Sequence, residues 1–211
     1  MTEARAVLFD LDGTLLDTLE DIARSANEVL EGLNFPRHPA DAYRRFIGDG
    51  VGNLFHRAIV EGSAGDADLV EPALIARCVD GFRESYGRGW NVATRPYEGI
   101  PELLDALAAR ALGLAVLSNK PDAFTRQCVD EYLSSWPFAV VFGERAGVPR
   151  KPDPAAALDV AARLGVPPGA VLYVGDSSVD METARRAGWC RSEWPGDSAA
   201  RKSCGSTAPW R

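Results

Sequence analysis

The sequence predicts an α/β fold, a doubly wound, mostly parallel sheet with a block of helices inserted after its first strand. Three observations carry this. Short apolar runs at Val7 to Phe9, Leu114 to Leu117, Phe138 to Phe142 and Val171 to Val174 read as buried strands. Beyond residue 90 these runs alternate with single helical patterns, which implies parallel pairing, right-handed crossovers and helices on both faces. Residues 17 to 90 show helical spacing and no convincing strand.

After Val7 to Phe9 the period changes at Gly13. Asp17 with Glu20 three residues on has the pattern of a capping box, and Ile22, Ala26, Val29, Leu30 and Leu33 follow at helical spacing. Ala42 to Ile47, Val51 to Val60 and Leu69 to Tyr86 read as further helices between Gly- and Pro-containing breaks. Phe46, Phe55, Phe82 and Tyr86 are assigned to the core of this block, and His38 and His56 to surface or packing positions. Pro101 suits a first helical turn, with Leu103, Leu104 and Leu107 as its apolar face. Pro121 opens a helix bearing Phe124, Cys128 and Tyr132, and Pro154 opens one ending near Gly165. A last helix follows Gly175-Asp176 and runs to about Ala187.

The 211 residues are 46% apolar and 25% charged, enough for one domain with an insert. The net charge of −7 argues against nucleic-acid binding and suits a site that imports a cation. Cys78, Cys128, Cys190 and Cys204 show no metal-ligand spacing, so reduced thiols in a cytoplasmic protein are expected. The start of the chain lacks signal architecture, and no apolar run approaches a membrane span.

In such sheets ligands bind beyond the carboxyl ends of the strands. The first strand ends in Asp10 and Asp12, the second in Ser118, Asn119 and Lys120. Arg150-Lys151-Pro152 follows the third, and the fourth ends in Asp176 with Ser177 and Asp180 beyond. Carboxylate oxygens suit Mg2+. Ser118, backbone amides and Lys151 suit phosphate oxygens. One carboxylate can act as a covalent nucleophile in phosphoryl transfer, and a second, two residues on, can protonate the leaving oxygen and then activate water.

The motifs FDLDGTLLDT, LSNK, RKPDP and GDSSVDMETARRAG, in this order and with PYEGIPELLDAL as a secondary match, resemble the haloacid dehalogenase superfamily. Within it the chain is similar to the phosphoglycolate phosphatase-like branch with a helical cap, over residues 4 to 188. The resemblance implies a Rossmann-like core of residues 1–16 and 91–188 and a cap of residues 17–90. It implies Asp10 as nucleophile, Asp12 as general acid and base, and Mg2+ held by Asp10, the carbonyl of Asp12 and Asp176. Ser118, the amide of Asn119, Lys151, Gly13 and Thr14 would bind the phosphoryl group, with Lys151 also steadying Asp10. Asp180 would support the metal or Lys151 from behind. Arg45, Gly48 and Asp49, on a loop that faces the site in that branch, are candidate substrate contacts. The implied activity is hydrolysis of a small phosphomonoester, 2-phosphoglycolate first, by a monomer or homodimer. Alternatives are a phosphatase for a sugar phosphate, nucleotide or pyridoxal phosphate, a phosphosugar mutase, or a non-catalytic remnant.

Residues 189–211 depart from this pattern. They hold three of the five tryptophans, two of the four cysteines and no apolar run longer than two. A one-nucleotide shift after codon 188 would, with GC-rich codons, turn the segment into the apolar strand and Trp-Gly loop that the resembled family carries there. The expectation is therefore an atypical, frameshifted tail, with no strand beyond the fourth and an unpaired sheet edge. A divergent native tail is the alternative.

Overall fold

The computed structural model describes residues 3–63, 65–67 and 70–193. Strand β1 (Ala6–Phe9) is buried along its whole length, as a central strand covered on both faces must be. A two-residue strand β2 (Leu16–Asp17) leads into α1 (Leu19–Gly32). A 3-10 turn at Ala40–Arg45 replaces the helix expected over Ala42 to Ile47. Helices α2 (Val51–Gly62) and α3 (Pro72–Gly89) follow. Proline at its first position starts α3 three residues later than the apolar pattern suggests.

The chain returns through β3 (Arg95–Pro96), which pairs antiparallel with β2. Then come α4 (Ile100–Ala109), β4 (Gly113–Pro121), α5 (Asp122–Tyr132), β5 (Phe138–Glu144), α6 (Ala155–Leu164), β6 (Val171–Gly175), α7 (Ser178–Arg186) and β7 (Cys190–Glu193). The main sheet has the order β5-β4-β1-β6-β7 and every pairing in it is parallel. Phe9 lies level with Val116 on one side and Val174 on the other. β4 runs on to Pro121, and this register brings Asp10, Ser118 and Asp176 to one rim. Two buried clusters cover the sheet. The larger joins one face to residues of α1, α2 and α3, and the smaller packs α6 and α7 on the other face.

Two further sequence expectations fail for identifiable reasons. Asp17 caps no helix. It pairs with Arg95 across the β2–β3 ribbon, 3.2 Å away, and the α1 cap residue is Thr18, whose side chain makes no capping bond. Long-range strand pairing has overridden a local cap signal. Asp21, one turn on, does the anchoring instead. Its buried carboxylate accepts from the Ala93 and Thr94 N–H groups (3.0 and 2.8 Å) and from the Thr94 hydroxyl, tying α1 to the returning chain. The second failure is the edge. Cys190–Glu193 pairs in parallel with β6, so a fifth strand exists where none was expected. Its sequence, CRSE, gives no apolar signal. The rest of the tail reading, residues 194–211, lies outside the described residues.

Candidate active site

Asp10 follows the last residue of β1 and is buried. The Leu11 N–H donates to one of its oxygens at 2.7 Å, and Lys151 Nζ lies 3.0 Å from the same oxygen. Lys151 also donates to Asp180 at 2.6 Å. Asp180 is fully spent in this arrangement. One oxygen takes Lys151 and the Tyr173 hydroxyl (2.9 Å), and the other takes the Ser177 N–H (3.1 Å) and hydroxyl. Ser177 and Asp180 form the reciprocal capping box at the start of α7. Gly175 permits the close approach, because a Cβ there would stand 2.5 Å from the Asp180 side chain.

Asp176 completes an acidic group. Asp10, Asp176 and Asp180 each offer an oxygen within 4.8 Å of the others. The Thr14 hydroxyl donates to Asp176 at 3.3 Å. Gly13 passes so close that a Cβ would meet an Asp176 oxygen at 2.4 Å, and its φ of +82° suits glycine. Burial raises the Asp10 carboxyl to about 8 against the pull of Lys151, with Asp180 and Asp176 adding to the rise. Burial and Asp180 together raise Asp176 to about 6. Lys151, which burial alone would discharge, is held as an ammonium by Asp10 and Asp180. Two of these three clustered acids, Asp10 and Asp180, thus share one ammonium, and Asp176 stands beside them. That imbalance, with hard oxygen donors, fits a divalent cation between Asp10 and Asp176.

Asp12 turns to other partners. Lys120 Nζ and the Thr18 hydroxyl both donate to its Oδ1, each at 2.8 Å. Lys120 also donates to the Tyr86 hydroxyl of α3 at 2.8 Å. The sequence placed Lys120 at the strand end but gave it no role. Its partners lie 108 and 34 residues away, so no local signal could have assigned it.

The remaining candidates divide. Ser118 is buried at the rim, and its oxygen accepts a 3.3 Å bond from the Lys120 N–H. The Asn119 side chain is a clamp: it accepts from the Lys151 N–H (2.9 Å) and donates to the Lys151 carbonyl (3.0 Å) and the Gly48 carbonyl (3.1 Å). The loop at Gly48 therefore does touch the rim. Asp49 is instead paired with Arg57, and Arg45 with Glu61 on an exposed surface. The Gly13 and Thr14 N–H groups are spent inside their own turn, on the carbonyls of Leu16 and Leu11. His38 packs edge-on against Tyr43 and Phe46, as a packing residue.

Comparison with known proteins gives a consistent result. The Haloacid dehalogenase-like hydrolase family matches residues 7–191. The phosphoglycolate phosphatase of Nitrosospira multiformis is 35% identical over 184 residues, covering 87% of this chain and 80% of that one. The phosphoglycolate phosphatase of Aquifex aeolicus is also 35% identical over 184 residues, covering 87% and 81%. The crystal structure of a predicted phosphoglycolate phosphatase from Haemophilus somnus is 29% identical. It has a TM-score of 0.80 and covers 90% of this chain and 85% of its own.

Proposed function

The chain belongs to the haloacid dehalogenase-like hydrolase family, and we propose that it hydrolyses a small phosphomonoester, 2-phosphoglycolate foremost, through an aspartyl phosphate formed on Asp10. Phosphomonoester hydrolysis is the activity of the curated relatives, and the chain spans about four-fifths of the length of those compared above. The observation that carries the site assignment is the cluster of Asp10, Asp176 and Asp180, two of which, Asp10 and Asp180, meet the ammonium of Lys151.

The residues have distinct tasks. Asp10 attacks phosphorus while Lys151 holds its carboxylate and offsets charge on the phosphoryl oxygens. The Ser118 hydroxyl orients one of those oxygens. Asp12 protonates the leaving alkoxide, then takes a proton from the water that cleaves the acyl phosphate. Asp180, saturated by Lys151, Tyr173 and Ser177, positions the lysine rather than the phosphate. Mg2+ is the cation we assign, and Asp10, Asp176 and the Asp12 carbonyl would hold it. When bound it supplies charge neutralisation for the transferring group. Residues 17–90 serve as the cap that excludes water and selects the leaving group, and residues 1–16 and 91–188 as the core. A reduced, cytoplasmic setting fits the free, buried Cys78 and Cys128.

The test is Mg2+-dependent phosphate release from 2-phosphoglycolate, with Asp10→Asn as blank and a panel of sugar phosphates, nucleotides and pyridoxal phosphate beside it. Release above the blank from 2-phosphoglycolate in preference to the panel is expected. Preference for a panel member would overturn the substrate, and a rearranged phosphosugar product would replace hydrolysis by mutase chemistry.

A further inference from the structure

The geometry points to Lys120 as the positioning residue of Asp12, held in place by the Tyr86 hydroxyl, so that proton transfer at the site depends on how the helical insert seats on the sheet. This inference rests on the aspartyl-phosphate reading above, in which Asp12 is the acid and base.

Lys120 is 8% exposed. A buried ammonium requires partners, and here it has two, the Asp12 carboxylate and the Tyr86 hydroxyl, both at 2.8 Å. Its flexible four-carbon stem would otherwise leave the ammonium several rotamers. Tyr86 supplies the fixed end. Its ring stacks on Phe82 with centroids 5.2 Å apart and meets Phe124 edge-on at 5.1 Å. Phe82 and Tyr86 belong to α3, Phe124 to α5, so the tyrosine sits where insert and sheet helices meet. The chain of contact runs from α3 through Tyr86 and Lys120 to the Asp12 carboxylate. Thr18, the cap residue of α1, donates to the same Asp12 oxygen.

A lysine that only balanced buried charge would affect every substrate alike. A lysine that aims Asp12 matters in proportion to how much the leaving group needs a proton. When the bond between phosphorus and Asp10 forms, the bond to the leaving oxygen breaks. An alkoxide such as that of glycolate must take the Asp12 proton as it departs, whereas p-nitrophenolate departs unprotonated. The comparison is made on kcat/KM, which reports steps through release of the first product.

The experiment measures kcat/KM for 2-phosphoglycolate and for p-nitrophenyl phosphate with the full chain and Mg2+, in wild type, Tyr86→Phe, Lys120→Met, Lys120→Arg and Asp12→Asn. Tyr86→Phe keeps the ring and removes the hydroxyl. It should lose about 10-fold on 2-phosphoglycolate and less than about 3-fold on p-nitrophenyl phosphate. Lys120→Met should lose roughly 100-fold on the first and a few-fold on the second, with Asp12→Asn marking the limit. Lys120→Arg should recover part of the 2-phosphoglycolate rate. Equal losses on both substrates, or no loss in Tyr86→Phe, would overturn the inference. If Lys120→Met does not fold, Tyr86→Phe decides alone. A wild type that releases phosphate from neither substrate, nor from any member of the panel above, would bring down the aspartyl-phosphate reading itself, and this inference with it.

Discussion

Two buried lysines each answer one of the two aspartates at the end of β1, and they are completed by different parts of the molecule. Lys151 holds Asp10, and its other partner is Asp180 of α7, itself held by Tyr173 of β6. All of these lie on the sheet, its flanking helices or the loops that join them. Lys120 holds Asp12, and its other partner is Tyr86 of α3, within the helical insert. On the proposed roles, the ion pairs at the nucleophile end are completed outside the insert, which reaches that end only through the Asn119 clamp, from the Lys151 backbone to the Gly48 carbonyl. The proton end is finished only when the insert is seated. If Asp10 is the nucleophile and Asp12 the acid and base, as proposed, one scaffold separates the chemistry common to phosphoryl transfer from the chemistry that depends on the leaving group.

The contrast can be broken or sharpened by experiment. Asp10→Asn should reduce phosphate release by roughly four orders of magnitude while the protein stays folded, measured by release kinetics and circular dichroism. Lys151→Met strips the ammonium from two carboxylates that are almost wholly buried and should cost about 3–5 kcal/mol in urea unfolding. Lys120→Met faces only Asp12, which is 12% exposed at its side chain, and should cost clearly less. Equal costs would erase the distinction between the two lysines.

Mg2+ at about 100 times its dissociation constant should stabilise the metal-free protein by about 2.7 kcal/mol, seen as a rise in Tm. Asp176→Asn should remove that rise and leave the Lys120 half untouched. Asp21→Ala orphans two backbone N–H groups at the root of the insert and should cost about 2 kcal/mol. Burial pushes the Asp21 carboxyl up, but bonds from Ala93, Thr94 and Arg24 bring it below its usual value. Its folded pKa is therefore depressed, so its stabilisation is present above about pH 4 and lost as pH falls through the folded value. Asp21→Asn should show a shallower loss of Tm on acidification than wild type. The smallest effect is expected from Arg45→Ala. Its exposed pairing with Glu61 is worth under about 1 kcal/mol, and kcat/KM should not move.

The sequence announced the sheet and its rim clearly, because a buried parallel strand is a run of apolar residues that stops where polar chemistry begins. Asp10, Ser118, Lys151 and Asp176 each stand at or just beyond such a stop, and the register of β1 with β4 and β6 brings three of them to within one residue of level. What stayed hidden is long-range. Asp17 carries a local cap pattern, yet its strand partner Arg95 is 78 residues away. Cys190–Glu193 pairs through backbone hydrogen bonds that its polar sequence does not advertise. Tyr86 reads as one more aromatic in a helical stripe, and its ring does pack as such. Only the hydroxyl, reaching Lys120, gives it a second task.

The β2–β3 ribbon has a consequence for the architecture as a whole. Leu16 faces Pro96 and Asp17 faces Arg95, so the chain departs and comes back at points about 5 Å apart. Topologically, residues 18–94 are a closed loop hung on a two-rung stem. Whatever hangs there can be lengthened, shortened or exchanged without re-threading the sheet or changing its strand order. On the proposed division of labour, selectivity for the leaving group would be a detachable part, and hydrolytic competence the frame that carries it.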